Sequence, residues 1–178
     1  MEKNRNIAKI VRQAAKNNPT AQCELYSMFH REMLGLCLRM VSGKHTAEDI
    51  LQDCFIKAFS RLRQLKDHEK FAGWLKQIVV NECIKFLKSI EYFEDINNVN
   101  TTTDDDKENW YSDISFEVIN EEIDQLPQGC RQILILYLIE DYKHIEIAEL
   151  LGISVSTSKS QYQYGLNILR KNLKQKFE

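Results

Sequence analysis

Apolar residues recur along the first ninety positions at steps of three and four. Between 20 and 41 they fall at Leu25, Phe29, Met33, Leu36/Cys37 and Met40, one stripe on one helical face. Pro19-Thr20 marks the start of this helix. Ser42-Gly43 marks its stop, with Gly43 available for a left-handed cap. A second stripe runs through Ile50/Leu51, Cys54/Phe55, Ala58/Phe59 and Leu62. Thr46 is expected to cap that helix, with Glu48 and Asp49 in the first turn, where the helix dipole favours anions. A basic connector, 61–70, leads to a long helix over 71–90 whose apolar face is Leu75, Val79, Cys83, Phe86/Leu87 and Ile90. With an amphipathic helix at about 7–16, the segment 1–90 reads as a four-helix unit.

The pattern then lapses. Residues 91–113 are polar, acidic and without sustained periodicity, as expected of a flexible linker between two domains. Helical spacing returns over 114–178. Phe116, Ile119, Ile123 and Leu126 step by three and four, and Pro127 suits the first position of a new helix. The run 133–139 (ILILYLI) fits a buried strand or a buried helix by periodicity alone. No second strand exists to pair with it, so a fully buried helix is expected. The fold class is therefore all-α, with two small helical domains joined by an acidic linker.

The stretch 142–174 carries the clearest motif. Ile145, Ala148 and Leu151 make one helical face, Gly152 can take a positive φ at the turn, and Ser154 can cap the next helix. Tyr162, Leu166, Leu169 and Leu173 make the expected buried stripe of that helix, and Ala148 is small where two helices cross. This is the layout of a helix-turn-helix, whose second helix enters the DNA major groove. The outer face of that helix carries Ser156, Thr157, Lys159, Ser160, Gln163 and Tyr164, hydrogen-bonding types suited to base edges and phosphates. Arg170, Lys171, Lys174 and Lys176 come next and can meet the DNA backbone. The pair Gln161/Gln163 suggests adenine readout at one position. An ordinary solvated face has similar composition; the agreement of cap, turn and flanking stripes favours the motif. Phe71 and Trp74, with Lys76, form an aromatic-basic cluster of the kind that stacks on exposed bases, although both rings at this spacing also suit core anchors.

Charge sharpens the picture. The net charge of −2 argues against a nucleic-acid partner until it is resolved along the chain. Residues 1–90 carry 16 basic and 9 acidic groups, residues 91–126 carry 1 and 12, and residues 127–178 carry 7 and 5. Two cationic segments thus flank an acidic one. With only 6 Gly and 2 Pro, the chain has too few turn-formers for a β-sandwich, and no phosphate-binding glycine loop occurs. The 5 cysteines form no C-x-x-C pair and are expected to be buried thiols in a reducing compartment. The 4 histidines have no ligand spacing, so no metal or other cofactor is expected. Without a nucleophile–base pair, the chain is not expected to be an enzyme. The opening MEKNRNIAKI lacks the apolar run of a signal peptide, and a cytoplasmic protein is expected.

Three motifs, in order, resemble the extracytoplasmic-function sigma factors, the small two-domain branch of the sigma-70 family of bacterial transcription initiation factors. AEDILQDCFIKAF (47–59) is similar to the family's second-region helix, which docks on the coiled coil of the polymerase clamp. FAGWLKQIVVN (71–81) is similar to its promoter-melting segment. Residues 126–173 resemble its fourth region, which reads the minus-thirty-five element. The resemblance implies that Asp49, Gln52, Asp53 and Phe55 contact core polymerase. It implies that Lys66, Asp67 and His68 form the loop that captures a flipped base of the minus-ten element, with Phe71 and Trp74 in the melting unit. It implies that Lys76, Lys85 and Lys88 track the strand backbone, and that Lys159, Ser160 and Gln163 face minus-thirty-five bases. In this chain Ser158 stands where relatives often hold an apolar residue, and Gln161 and Tyr164 where they often hold arginines. The implied domains are 1–90 for core binding and minus-ten melting, 91–113 as the linker, and 114–178 for minus-thirty-five recognition. The implied partners are the clamp and flap of core RNA polymerase, promoter DNA and an anti-sigma factor, with the free protein a monomer. The competing reading is a free-standing helix-turn-helix regulator with an N-terminal dimerisation or sensor domain.

Overall fold

A computed structural model describes residues 2–41, 43–90 and 116–177. The expected linker, 91–113, lies outside the described residues, as does Ser42. The chain divides into two units at residue 91.

In the first unit the helices are α1 (Glu2–Ala14), α2 (Pro19–Met40), α3 (Lys44–Arg61) and α4 (Phe71–Ile90). The connector from α3 to α4 holds two single 3₁₀ turns, Leu62–Gln64 and His68–Lys70. Asn18 starts α2: its Oδ1 accepts from the Ala21 amide at 3.1 Å, and Pro19 occupies the first turn, where its missing N–H costs nothing. The stripe Leu25, Phe29, Met33, Leu36, Cys37 and Met40 is buried against α3 and α4. The core residues of α4 are Phe71, Leu75, Val79, Val80, Cys83, Ile84 and Leu87. Lys57 on α3 meets Glu82 on α4 at 2.6 Å in a half-buried ion pair beside this core.

Three local expectations change here. Gly43 does take a positive φ of 98°, but as the residue that opens α3 rather than the one that closes α2, which ends in the extended Val41. Helix α3 then begins at Lys44, so Thr46 lies inside the first turn, no side chain caps the start, and Glu48 and Asp49 fall in the second turn. Four cysteines are buried as expected, but Cys23 is exposed: Ala21 and Leu25 take the inner stripe of α2 and turn it outward.

The second unit comprises α5 (Phe116–Asp124), α6 (Gln128–Leu134), α7 (His144–Leu151) and α8 (Val155–Phe177). Pro127 precedes α6 as its cap, one residue earlier than expected. The run 133–139 is helical, but it is not buried throughout. From Ile135 to Ile139 it widens into a π turn, which shifts the side-chain register and leaves Tyr137 and Leu138 exposed. The inner face of α7 is Ile147, Ala148 and Leu151 rather than Ile145, Ala148 and Leu151, and Ile145 is exposed. His144, the first residue of α7, stacks on Tyr137 with ring centroids 4.4 Å apart.

Helix α8 also departs from its expected stripe. Leu169 and Leu173 are buried, but Tyr162 and Leu166 are only half-buried, and the N-terminal half buries Ser158, Gln161 and Gly165 instead. Gly165 is the cause. A Cβ there would stand 2.9 Å from Leu134 Cδ1 and 3.1 Å from Cys130 Cβ, so its absence lets α8 lie directly on α6. Gly165→Val is expected to destabilise the second unit by about 1–3 kcal/mol through overpacking, read as a lower denaturation midpoint of the full chain. An unchanged midpoint would show that the two helices can part without cost.

Candidate polymerase and nucleic-acid interfaces

On α3, Asp49, Gln52 and Asp53 are exposed on one face. Phe55 is not with them. It is buried, with its ring 4.7 Å from Tyr26 and 5.8 Å from Phe59, so it supports the helix from beneath. Sequence reasoning missed the neighbouring residue, Ile56, which is 67% exposed. Its position was readable: at 3.6 residues per turn, 49, 52, 53 and 56 form one face.

The connector is shaped by Asp67, whose Oδ1 accepts from the Glu69 amide at 3.1 Å and whose other oxygen lies 3.7 Å from Lys70 Nζ. Lys66 is exposed and His68 half-buried. Leu65, Lys70, Gly73 and Trp74 line an open cleft of about 450 Å³ beside this turn. Of the two expected stacking aromatics, only Trp74 reaches that cleft. Phe71 has no exposed surface and packs edge-on to Phe29 at 5.3 Å. Further along α4, Lys85 and Lys88 are exposed, whereas Lys76 is half-buried. At about 100° per residue, Lys85 and Lys88 share the side of Trp74 and Lys76 falls roughly opposite. The four do not form one row. Lys85 instead lines a groove with Asp53, Lys57, Glu82 and Phe86.

The helix-turn-helix is built by two caps. Gly152, at φ 74° and ψ 35°, closes α7, and Ala148 O accepts from the amides of Gly152 at 2.9 Å and Ile153 at 3.0 Å. Ser154 opens α8 by accepting the Thr157 amide on Oγ at 3.0 Å. On the outer face Ser156 and Lys159 are exposed, and Thr157, Ser160, Gln163 and Tyr164 are half-buried. Gln161 is excluded from this face: it is buried and turned towards α6 at Gly129. The expected Gln161/Gln163 pair is therefore reduced to Gln163, whose Nε2 donates to Asn167 Oδ1 at 3.3 Å.

His144 ties the reading helix to the rest of the unit. Its Nδ1 lies 2.9 Å from Ser158 Oγ, and its ring meets Tyr162 edge-on at 5.5 Å as well as stacking on Tyr137. Burial, and secondly the Lys159 ammonium, hold the imidazole pKa below its ordinary value. Between the lowered native pKa and the unfolded one of about 6.5, the unfolded chain binds more protons, so stability falls as pH falls. Stability of this unit is thus expected to decline below about pH 6.5, and His144→Gln should flatten that part of the profile. An identical slope in the variant would assign the effect to other groups.

Residues 25–91 match the family described as Sigma-70 region 2, and residues 116–168 match Sigma-70, region 4. The ECF RNA polymerase sigma factor SigW of Bacillus subtilis is 30% identical over 185 residues, covering 94% of this chain and 97% of that protein. The RNA polymerase sigma factor SigV of the same organism is 30% identical, covering 76% and 80%. Two solved structures share the fold. One is the sigma factor RpoE of Bartonella quintana in complex with the anti-sigma factor NepR, at TM-score 0.56 and 19% identity, with 85% of this chain and 95% of that one covered. The other is CnrH in complex with the cytosolic domain of CnrY, at TM-score 0.56 and 19% identity, with 94% and 97% covered. Both matched regions, in this order on one chain, and a relative aligned over nearly its whole length place this protein in the extracytoplasmic-function branch of the sigma-70 family of RNA polymerase sigma factors.

Proposed function

We propose that this chain carries core RNA polymerase to its promoters and opens the DNA there. The α3 face of Asp49, Gln52 and Asp53, extended by Ile56, docks on the clamp of the polymerase. The connector residues Lys66, Asp67 and His68, with Trp74 at the cleft, take a flipped base of the minus-ten element. Lys85 and Lys88 hold the separated strand, with Lys76 contributing from another face of α4. The second unit reads the minus-thirty-five element through Ser156, Thr157, Lys159, Ser160, Gln163 and Tyr164, and polymerase holds it through the flap. The chain itself performs no catalysis; RNA synthesis belongs to the polymerase. Free, it is a cytoplasmic monomer, and an anti-sigma factor of the kind seen with RpoE holds it inactive.

The observation that carries this reading is the pairing of the two matched regions on one chain, each with an exposed face of fitting chemistry. Neither unit need bind DNA tightly alone, because polymerase holds both on one template and supplies the effective concentration. The region 2 match also counts against a free-standing regulator, which has no use for a polymerase-docking helix. Run-off transcription with core polymerase and a genomic promoter library tests it. Promoter-specific transcripts that require the chain are expected; their absence would overturn the reading.

A further inference from the structure

The outer face of α8 holds one side-chain arrangement that separates a base reader from a phosphate binder. Ser156, Ser160, Gln163 and Asn167 succeed one another at steps of four, three and four, opposite the buried Gln161 and Gly165. On this face Gln163 Nε2 donates to Asn167 Oδ1 at 3.3 Å. A solvated glutamine otherwise samples many rotamers, and ordering it on binding costs conformational entropy. The Asn167 carbonyl removes part of that freedom beforehand. It also turns the amide nitrogen towards Asn167 and leaves Oε1 and the nitrogen's other hydrogen for a second partner.

We propose that Gln163 reads an adenine of the upstream promoter element and that Asn167 is the positioning residue that orients its amide. The inference rests on the promoter-reading role proposed for this helix. Adenine offers an N6 amino donor beside an N7 acceptor in the major groove, which matches an acceptor Oε1 beside a donor N–H. Guanine offers two acceptors there, thymine an acceptor and a methyl, and cytosine a single donor, so none satisfies both atoms at once. Lys159 on the same face lacks an acceptor and cannot make this distinction.

The test is selection of templates from a pool randomised across the upstream element, using holoenzyme assembled from core polymerase and the full chain. Wild type is expected to prefer adenine at one position by about 5–100-fold. Gln163→Ala should abolish that preference. Asn167→Ala should reduce it to about 2-fold or less while preferences at other positions persist, because a merely structural defect weakens all positions together. Gln163→Glu should shift the preference to cytosine, whose N4 amino group a carboxylate accepts. Circular dichroism of each variant confirms the helix is retained. An upstream element that is selected by wild type and read identically by Asn167→Ala or Gln163→Ala would overturn this inference and leave the promoter-directing function standing. No selected element in any protein would overturn both.

Discussion

Ile56→Glu is expected to weaken binding of this sigma factor to core RNA polymerase by about 100-fold or more while the first unit stays folded. Ile56 is the most exposed large apolar side chain among the described residues, at 67%, and it sits among Asp49, Gln52 and Asp53. An apolar residue ringed by polar ones is the usual form of an interface hot spot: the ring excludes water and the centre supplies the burial. Removing such a centre costs about 2 kcal/mol or more, and a carboxylate adds the penalty of desolvating a charge. The acidic neighbours contribute differently. Asp49→Ala or Asp53→Ala should slow association and lessen its salt dependence with a smaller loss of affinity. Folding should be little affected, because an exposed side chain changes stability by only about 0.5 kcal/mol in either direction. Equilibrium binding of the full chain to core polymerase, with a thermal melt as control, checks both halves. Affinity within about 2-fold of wild type would remove the α3 face from the docking surface.

This residue also shows where sequence reasoning reached and where it stopped. Helices α2 and α4 were legible almost to their ends because each has one uninterrupted apolar stripe. The neighbours Phe55 and Ile56 differ by one step of about 100°, and stripe counting had already placed Phe55 inward; only the resemblance drew it to the surface. On α8 the misreading had another origin. An apolar stripe through Tyr162 and Leu166 was the natural reading, yet the close approach at Gly165 rotates the helix so that Ser158 and Gln161 face inward. Ser158 is accommodated because His144 supplies a hydrogen-bond partner 14 residues away, which no local pattern announces. The π turn that exposes Tyr137 and Leu138 is likewise absent from the apolar pattern, which runs unbroken through 133–139. What the sequence did reveal at the reading head was local capping chemistry: Gly152 and Ser154 act at the positions their residue types predict.

Phe71→Ala is expected to destabilise the first unit by about 3–5 kcal/mol, a large share of the roughly 5–15 kcal/mol that holds a domain together. The ring has no exposed surface, packs edge-on to Phe29 at 5.3 Å and stands 6.2 Å from Trp74. Transcription should therefore fail in this variant for lack of a folded domain, an outcome that a DNA-contact role would also produce. Phe71→Leu separates the two. Leucine refills most of the volume, so stability and promoter opening should both recover substantially, whereas a base-stacking role needs an aromatic face and would not be rescued. Trp74→Ala should behave in the opposite way. Its half-exposed ring contributes less to the fold and lines the cleft beside Lys70, so the variant should remain folded and bind polymerase but open DNA poorly. Chemical denaturation of the full chain, together with fluorescence of a 2-aminopurine placed in the minus-ten region, measures both quantities. A folded Phe71→Leu protein that binds polymerase yet leaves the DNA closed would return Phe71 to the interface and require the first turn of α4 to open on binding.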